Sequence, residues 1–196
     1  MKIFDRVHDI ILYPKVTWQT IKEENIPVKE LVVNYAAPLA LIPVVSALIG
    51  KTLVGIPMLE VGRVPFVISL LQGIFNYLIS LAMIFIVAWA VNLLAPVFEA
   101  KSDYDKAVKL TIYSFTPVWI VGIFFLLPWL GMILSLLGLY WIYLFAVGLP
   151  EVLETPGRKV FFYTLAVIFA TFLITIILSL MVSLIIAPMH MHLLAT

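Results

Sequence analysis

Four long stretches without a single Asp, Glu, Lys or Arg constrain this chain more than any other feature of its sequence. They cover residues 31–50, 64–98, 110–150 and 160–196. A helix of about 20 apolar residues crosses the hydrocarbon core of a membrane, since each residue adds about 1.5 Å. The chain of 196 residues is 64% hydrophobic and 12% charged, whereas a soluble domain carries about 25% charged residues. The pattern therefore predicts a polytopic membrane protein.

The third charge-free stretch is too long for one crossing. Its 41 residues would extend to roughly 60 Å as a single helix, about twice the thickness of the hydrocarbon core. The segment FLLPWLG at residues 125–131 offers the turn, because Pro128 interrupts a helical hydrogen-bond ladder and Gly131 relaxes the backbone. We therefore predict an all-α bundle of five transmembrane helices within residues 31–196. The expected spans are 31–50, 66–95, 107–127, 130–148 and 160–186.

The first 30 residues form a separate, amphipathic segment. Apolar residues recur there at helical spacing, Pro14 restarts the pattern, and a second short helix carries Trp18 and Ile21. One interpretation is a pair of helices that lie on the bilayer, with Tyr13 and Trp18 at the level of the headgroups. The other is a binding site for a protein partner on the same apolar face. The candidate partner-binding residues are Tyr13, Pro14, Trp18 and Ile21.

The distribution of basic residues predicts the orientation. The N-terminal segment, the loop after the second span and the loop after the fourth span together hold ten Lys and Arg, whereas the alternate segments hold two, Lys51 and Arg63. Basic residues are retained on the cytoplasmic side. We therefore expect a cytoplasmic N-terminus and a C-terminus on the far side of the membrane.

The polar segments between the spans have the composition of helix ends. Residues 102–105 resemble a capping box at the start of the third span. Gly148 and Pro150 are expected to end the fourth span. Thr155 is expected to cap the fifth, with Pro156 in its first turn. Glu151 and Glu154 in this loop fit solvated carboxylates better than a catalytic pair.

Several of these segments resemble the Yip family, membrane proteins named for their interaction with Ypt/Rab small GTPases. The resemblance extends over nearly the whole chain, including the loop at residues 139–160. Its motifs are Pro14 and Trp18, the Tyr35, Pro38 and Pro43 series, and the Tyr113 and Pro117 pair. It implies five spans, a cytoplasmic N-terminus and a non-enzymatic, trafficking-like role. The compact form resembles the bacterial and archaeal members, which implies the prokaryotic cytoplasmic (inner) membrane.

Uncharged polar residues inside the spans admit two interpretations. Ser69, Gln72, Gly73, Asn76 and Ser80 share one face of the second span. Small residues allow helices to approach closely and amides bond between helices, so a packed bundle is the favoured interpretation. The alternative is a path for a solute, lined by amides and by carbonyls that prolines leave without a donor. The residues that would mark such a path are Asn34, Gln72, Asn76, Asn92, Tyr113 and Pro117.

The sequence lacks the residues that ion-coupled transport, catalysis or nucleic-acid binding would require. Ionisable side chains are absent from the middle of every predicted span, which argues against a proton-coupled pump. The sequence has no cysteine, and we predict no catalytic residues, no cofactor and no nucleic-acid partner. The tail MHMH contains His190 and His192, which offer a weak transition-metal site, although a frayed tail is favoured.

Two functional hypotheses follow, with a weaker third. The protein is expected to be a membrane scaffold or adaptor that binds membrane lipids, a protein partner at the cytoplasmic face, or a second copy of itself. The alternative is an uncoupled channel or transporter. The third is an enzyme that acts on lipid headgroups through Glu60, Glu99 or Asp103.

Overall fold

The computed structural model describes residues 2–55 and 63–194, and the side chains of that part up to residue 180. In the described residues the chain is helical, with two short N-terminal helices followed by five long ones. We number them α1 to α7. Their bounds are α1 Ile3–Leu12, α2 Pro14–Glu23, α3 Val28–Val54, α4 Phe66–Phe98, α5 Tyr104–Leu126, α6 Pro128–Val152 and α7 Gly157–Leu194.

The five long helices are the predicted spans. Each contains a window apolar enough to cross a membrane, with mean hydropathy between 1.6 and 2.5. The prediction of an all-α, five-span membrane protein is therefore confirmed. Most helix ends lie a few residues beyond the expected ones, because a helix can continue past the point where charged residues begin, whereas α5 ends at Leu126, one residue before its expected end. The extension is clearest for α3, which begins at Val28.

α3 changes its helical period at two points. A π turn at Val32–Ala36 and another at Gly50–Val54 flank the regular helix Ala37–Ile49. The first turn lies directly before Pro38, whose ring has no N–H and crowds the carbonyl one turn back, so a widened turn relieves the clash. Pro43 lies inside the regular helix.

Close contacts between α3 and α5 use Pro43 and two glycines. A Cβ atom on Gly122 would lie 2.4 Å from Cβ of Pro43, and one on Gly50 would lie 2.2 Å from the carbonyl oxygen of Phe125. Larger side chains at these two glycines would force the helices apart. Pro43 of α3 therefore contributes to the packing of α3 against α5.

The predicted turn in the third apolar stretch occurs at Leu127. This residue has extended backbone angles, with φ −114° and ψ 96°, between the end of α5 and the start of α6. Pro128 occupies the first turn of α6, where its missing N–H leaves no hydrogen bond unmade. The two spans thus form a tight hairpin.

Three expectations about helix ends are wrong. α6 runs through Gly148 and Pro150 to Val152, so neither residue ends it. The hydroxyl of Thr155 has no hydrogen-bond partner among the described residues, and it does not cap α7. The cap of α5 is Asp103, whose carboxylate accepts from the backbone N–H of Lys106 at 3.1 Å, whereas the capping-box pattern had assigned that role to the preceding serine.

The two N-terminal helices do not lie apart from the bundle. They form a hairpin, Ile3–Glu23, and α2 packs along the second half of α6. Ile10, Trp18 and Ile21 on its inner face are buried. We call this element the N-terminal hairpin and the end of the bundle that it covers the hairpin end. The expected orientation of these apolar residues toward the bilayer is replaced by packing on the bundle.

Candidate functional site at the hairpin end of the bundle

Trp18 attaches the N-terminal hairpin to the bundle. Its side chain is fully buried, and its indole Nε1 donates to the backbone carbonyl of Leu144 in α6 at 3.0 Å. Gly148, one turn further along α6, leaves the space that the indole fills, since a Cβ atom there would lie 2.6 Å from the Trp18 ring. A buried tryptophan needs a partner for its N–H, and this contact supplies one.

Next to Trp18, aromatic rings and hydroxyl groups continue into the bundle. The ring of Tyr113 meets the indole edge to face at 6.1 Å between centroids, and it packs on Tyr35 at 5.1 Å. The hydroxyl of Tyr35 forms a 2.8 Å hydrogen bond with Oγ1 of Thr116. Tyr113 and its neighbour Pro117 are both buried. This cluster joins α2, α3 and α5, and it fills the hairpin end of the bundle with side chains.

A charged pair closes the hairpin over this cluster. Arg6 of α1 pairs with Glu24, which directly follows α2, and the Arg6 side chain is only 9% exposed. Its guanidinium also lies 5.8 Å from the centroid of the Tyr113 ring, a distance at which a cation is attracted to an aromatic face. The ammonium of Lys109 in α5 donates to the backbone carbonyl of Glu24 at 3.4 Å. These contacts hold the open end of the hairpin, where α1 begins and α2 ends, against α5.

The tip of the hairpin is attached as well. The hydroxyl of Tyr140 in α6 donates to the backbone carbonyl of Ile11 at 2.9 Å. Attachments at the tip, the middle and the open end therefore fix the hairpin along its length. The sequence does not indicate this arrangement, because Arg6 fits the cytoplasmic charge of the N-terminal segment and Tyr140 fits an apolar span.

The outer face of the hairpin combines exposed apolar and charged side chains. Phe4 is 86% exposed, Val16 66% and Tyr13 60%. Charged side chains, including those of Lys15 and Asp9, are exposed between them. Of the four residues predicted to bind a partner, only the tyrosine faces outward, whereas Pro14, Trp18 and Ile21 are buried. Their role in binding stays a prediction.

A second cluster of charges joins the loops at the hairpin end. The carboxylate of Glu99 accepts from Arg158 at 2.8 Å and lies 3.5 Å from the ammonium of Lys159. Lys101 lies 3.7 Å from Glu154 across the same loops. The hydrogen bond and positive charge of Arg158 hold the pKa of the exposed Glu99 carboxyl below its ordinary value. These pairs connect the loop after α4 to the loop before α7.

The residues proposed to line a path are found in separate places. Gln72 and Asn76 lie at a cleft between α3 and α4, at the end of the bundle opposite the hairpin. Asn34 is exposed on α3, and the side-chain oxygen of Asn92 is buried without a hydrogen-bond partner among the described residues. Tyr113 and Pro117 belong to the cluster under the hairpin. Whether any of them conducts a solute stays a prediction.

The remaining candidates have simple local roles or lie outside the described side chains. Asp103 caps α5 and Glu99 pairs with Arg158. Glu60, His190 and His192 lie outside the side chains that the structure describes. Across residues 2–55 and 63–180, no group of three or more His, Asp or Glu side chains is arranged to hold a metal ion.

Comparison with known proteins identifies the family. The chain has no match among curated proteins or solved structures. The Yip1 domain family model, however, matches residues 9–186, a range that includes most of the N-terminal hairpin and all five spans. This confirms the resemblance found in the sequence motifs. The chain is an integral membrane protein with five candidate spans, and it belongs to the Yip1 domain family.

Proposed function

We propose that this protein is a non-enzymatic membrane scaffold or adaptor that binds a protein partner through the outer face of its N-terminal hairpin. In this proposal the hairpin end faces the cytoplasm, as the distribution of basic residues predicts. The membrane would be the prokaryotic cytoplasmic membrane, as the resemblance to compact family members implies.

The observation that carries the proposal is the attachment of Trp18 to α6. A helix that only lies on a lipid surface would bury its apolar face in the membrane. Its polar face would then point to the solvent in no fixed orientation relative to the bundle. Here the apolar face is occupied by the bundle, through the indole hydrogen bond to Leu144 and the space beside Gly148. The outer face is thereby held in one geometry, and a rigid surface loses less conformational entropy when it binds.

The composition of the outer face also favours a protein partner. Phe4, Leu12, Tyr13 and Val16 are apolar or aromatic residues of the hairpin that are exposed among charged and polar side chains. Exposed aromatic residues surrounded by charged ones are typical of the centres of protein interfaces. Membrane lipids compete for the same residues in our proposal, and the experiment below separates the two.

The test is photo-crosslinking in native membranes with the full chain. A photoreactive residue at Gln19, exposed on α2, should capture a discrete protein, and Phe4→Ser or Val16→Ser should reduce capture at unchanged amounts of folded protein. Thr20→Ser is the matched control, because it alters the same exposed face without removing an apolar side chain. Crosslinks to lipid alone, or capture that neither serine variant reduces, would overturn the proposal. Deletion of the hairpin is a poorer test, since it would uncover Leu144 and Leu149, which are buried.

A second candidate function is an uncoupled channel or transporter. The cleft between α3 and α4, with Asn76 on its wall, is the observation that favours it. We prefer the scaffold because Trp18, Tyr35 and Tyr113 fill the hairpin end of the bundle, where a path would have to continue. Solute flux into liposomes that depends on the protein and changes in Asn76→Leu would reverse this preference.

A further inference from the structure

The cleft between α3 and α4 has a volume of about 310 Å³, within the range of binding sites for small molecules and cofactors. One wall is apolar and comes from α3, with Pro43, Val44 and Ala47. The other wall comes from α4, where Gly73 leaves the space that a larger side chain would fill. The cleft lies at the opposite end of the bundle from the hairpin, so a site here is separate from the proposed partner surface.

Polar donors are concentrated at the outer end of the cleft. The ammonium of Lys51 donates to the side-chain oxygen of Gln72 at 3.2 Å, which uses one of its three N–H donors. Ser69 lines the cleft and is only 3% exposed, yet its hydroxyl has no hydrogen-bond partner among the described residues. A buried hydroxyl without a hydrogen-bond partner is destabilising. A cation and a buried hydroxyl without a partner indicate a ligand that is anionic and carries further acceptors.

The inner end of the cleft is different in character. Ser80 lies eight residues along α4 from Gln72, or about 12 Å, and its hydroxyl already accepts from the indole of Trp119 at 3.3 Å. Ala40 completes this end, whereas Phe125, whose carbonyl lies against Gly50, lines the outer end. The cleft thus changes over a short distance from polar donors to an apolar interior, which is the profile of an amphiphile rather than of a water-soluble solute.

The surroundings of the cleft indicate where such an amphiphile comes from. On α4 the apolar side chains of Leu71, Ile74 and Phe75 are exposed beside it, so they face the hydrocarbon of the membrane. Asn76 is exposed among them. An amide in hydrocarbon is unfavourable unless it finds an acceptor, and the ester carbonyls of a glycerolipid are acceptors at this depth.

We propose that the cleft binds an anionic phospholipid from the adjoining leaflet. Its phosphate binds the ammonium of Lys51 and accepts from Ser69, an ester carbonyl accepts from Asn76, and one acyl chain extends along the apolar interior toward Ala40. This site binds lipid in the leaflet opposite the hairpin, and it does not depend on the proposed partner.

The test measures lipid association with the full chain reconstituted in vesicles. Spin-labelled phosphatidylglycerol and phosphatidylcholine with identical acyl chains are compared by the fraction of label that the protein immobilises. The wild type should prefer phosphatidylglycerol, and Lys51→Gln should reduce that preference about tenfold, as expected for the loss of one charge-assisted hydrogen bond. Arg63→Gln is the matched control, because it removes an exposed cation near the same end that is not part of the cleft lining.

A second variant protects the test against misfolding. Asn76→Leu replaces an exposed residue with a good helix former, so the fold is kept, and it should lower the association of both phospholipids several-fold without changing the preference between them. Equal binding of the two lipids by the wild type would overturn the proposal, as would an equal effect of Arg63→Gln and Lys51→Gln. Binding of spin-labelled stearate that depends on Lys51, without binding of phosphatidylglycerol, would replace the phospholipid with a free fatty acid and also contradict the proposal.

Discussion

Gly148 of α6 lies against the indole of Trp18, and a methyl group at this glycine would lie 2.6 Å from the Cε2 atom of that ring. The same methyl group would lie 2.6 Å from a side-chain carbon of Leu110 in α5. The contact therefore joins α2, α5 and α6 at one point. Glycine at position 148 allows the hairpin to pack as it does, because both neighbours are buried and a methyl group would overlap them.

Gly148→Ala should destabilise the protein. Overpacking of this kind costs about 1–3 kcal/mol, although alanine recovers up to about 1 kcal/mol through its higher helix propensity. The apparent melting temperature in detergent should fall by a few degrees. Gly157→Ala is the matched control, since a methyl group there meets nothing within 4 Å. Equal melting temperatures for the two variants would contradict the close contact between Gly148 and Trp18.

The pair formed by Arg6 and Glu24 should help to hold the N-terminal hairpin closed. A double-mutant cycle with Arg6→Met and Glu24→Gln is expected to give a coupling energy of about 1–3 kcal/mol, because one partner is largely buried. The exposed pair of Lys101 and Glu154, measured in the same way, should give at most about 1 kcal/mol. A coupling energy no larger for the first pair than for the second would show that other contacts hold the hairpin closed.

The fold was predictable because absence of charge is a strong signal over 20 or more residues. The turn before Pro128 was predictable for the same reason, since an apolar stretch of 41 residues cannot cross once. The attachment of the hairpin was not. An amphipathic helix has the same sequence pattern whether its apolar face meets lipid or protein, so Trp18 admits either interpretation until the space beside Gly148 is known.

Single residues at helix ends were the least predictable. Gly148 and Pro150 are typical of a helix end, yet the packing of α2 against α6 carries the helix past both. Thr155 is typical of a cap, but its hydroxyl is buried without a partner among the described residues. At Gly148 a tertiary contact with Trp18 accompanies the departure from the local preference, and at Thr155 burial of the hydroxyl does, neither of which sequence spacing reveals.

The ion pair between Glu99 and Arg158 should make the loops at the hairpin end sensitive to acid. Arg158 lowers the pKa of the Glu99 carboxyl below its ordinary value of 4.5, so the pair is complete above that pH and is lost as the pH falls through the lowered pKa. An NMR titration of the Glu99 side-chain carbon in micelles should show a midpoint that rises toward the ordinary value in Arg158→Gln. Lys101→Gln, which removes the partner of Glu154 instead, should leave the midpoint unchanged. An unchanged midpoint in Arg158→Gln would refute the assigned cause.

The orientation can be tested directly because the chain contains no cysteine. A single cysteine in place of exposed Gln19 should react with a membrane-impermeant maleimide only from the cytoplasmic side. One in place of exposed Arg63 should react only from the other side. Labelling of both from the same side would contradict five crossings with basic residues retained in the cytoplasm.

The central claim is that the N-terminal hairpin is a fixed part of the bundle, held by Trp18 against Gly148. Hydrogen exchange of the α2 backbone amides, Pro14–Glu23, measured by mass spectrometry in nanodiscs, tests it most directly. We predict slow exchange in the wild type and exchange at least about tenfold faster in Gly148→Leu, as expected if docking loses about 1.4 kcal/mol or more, with α7 unchanged. Exchange in α2 that is the same in both proteins would contradict the claim, because protection would then come from the membrane surface and not from the bundle.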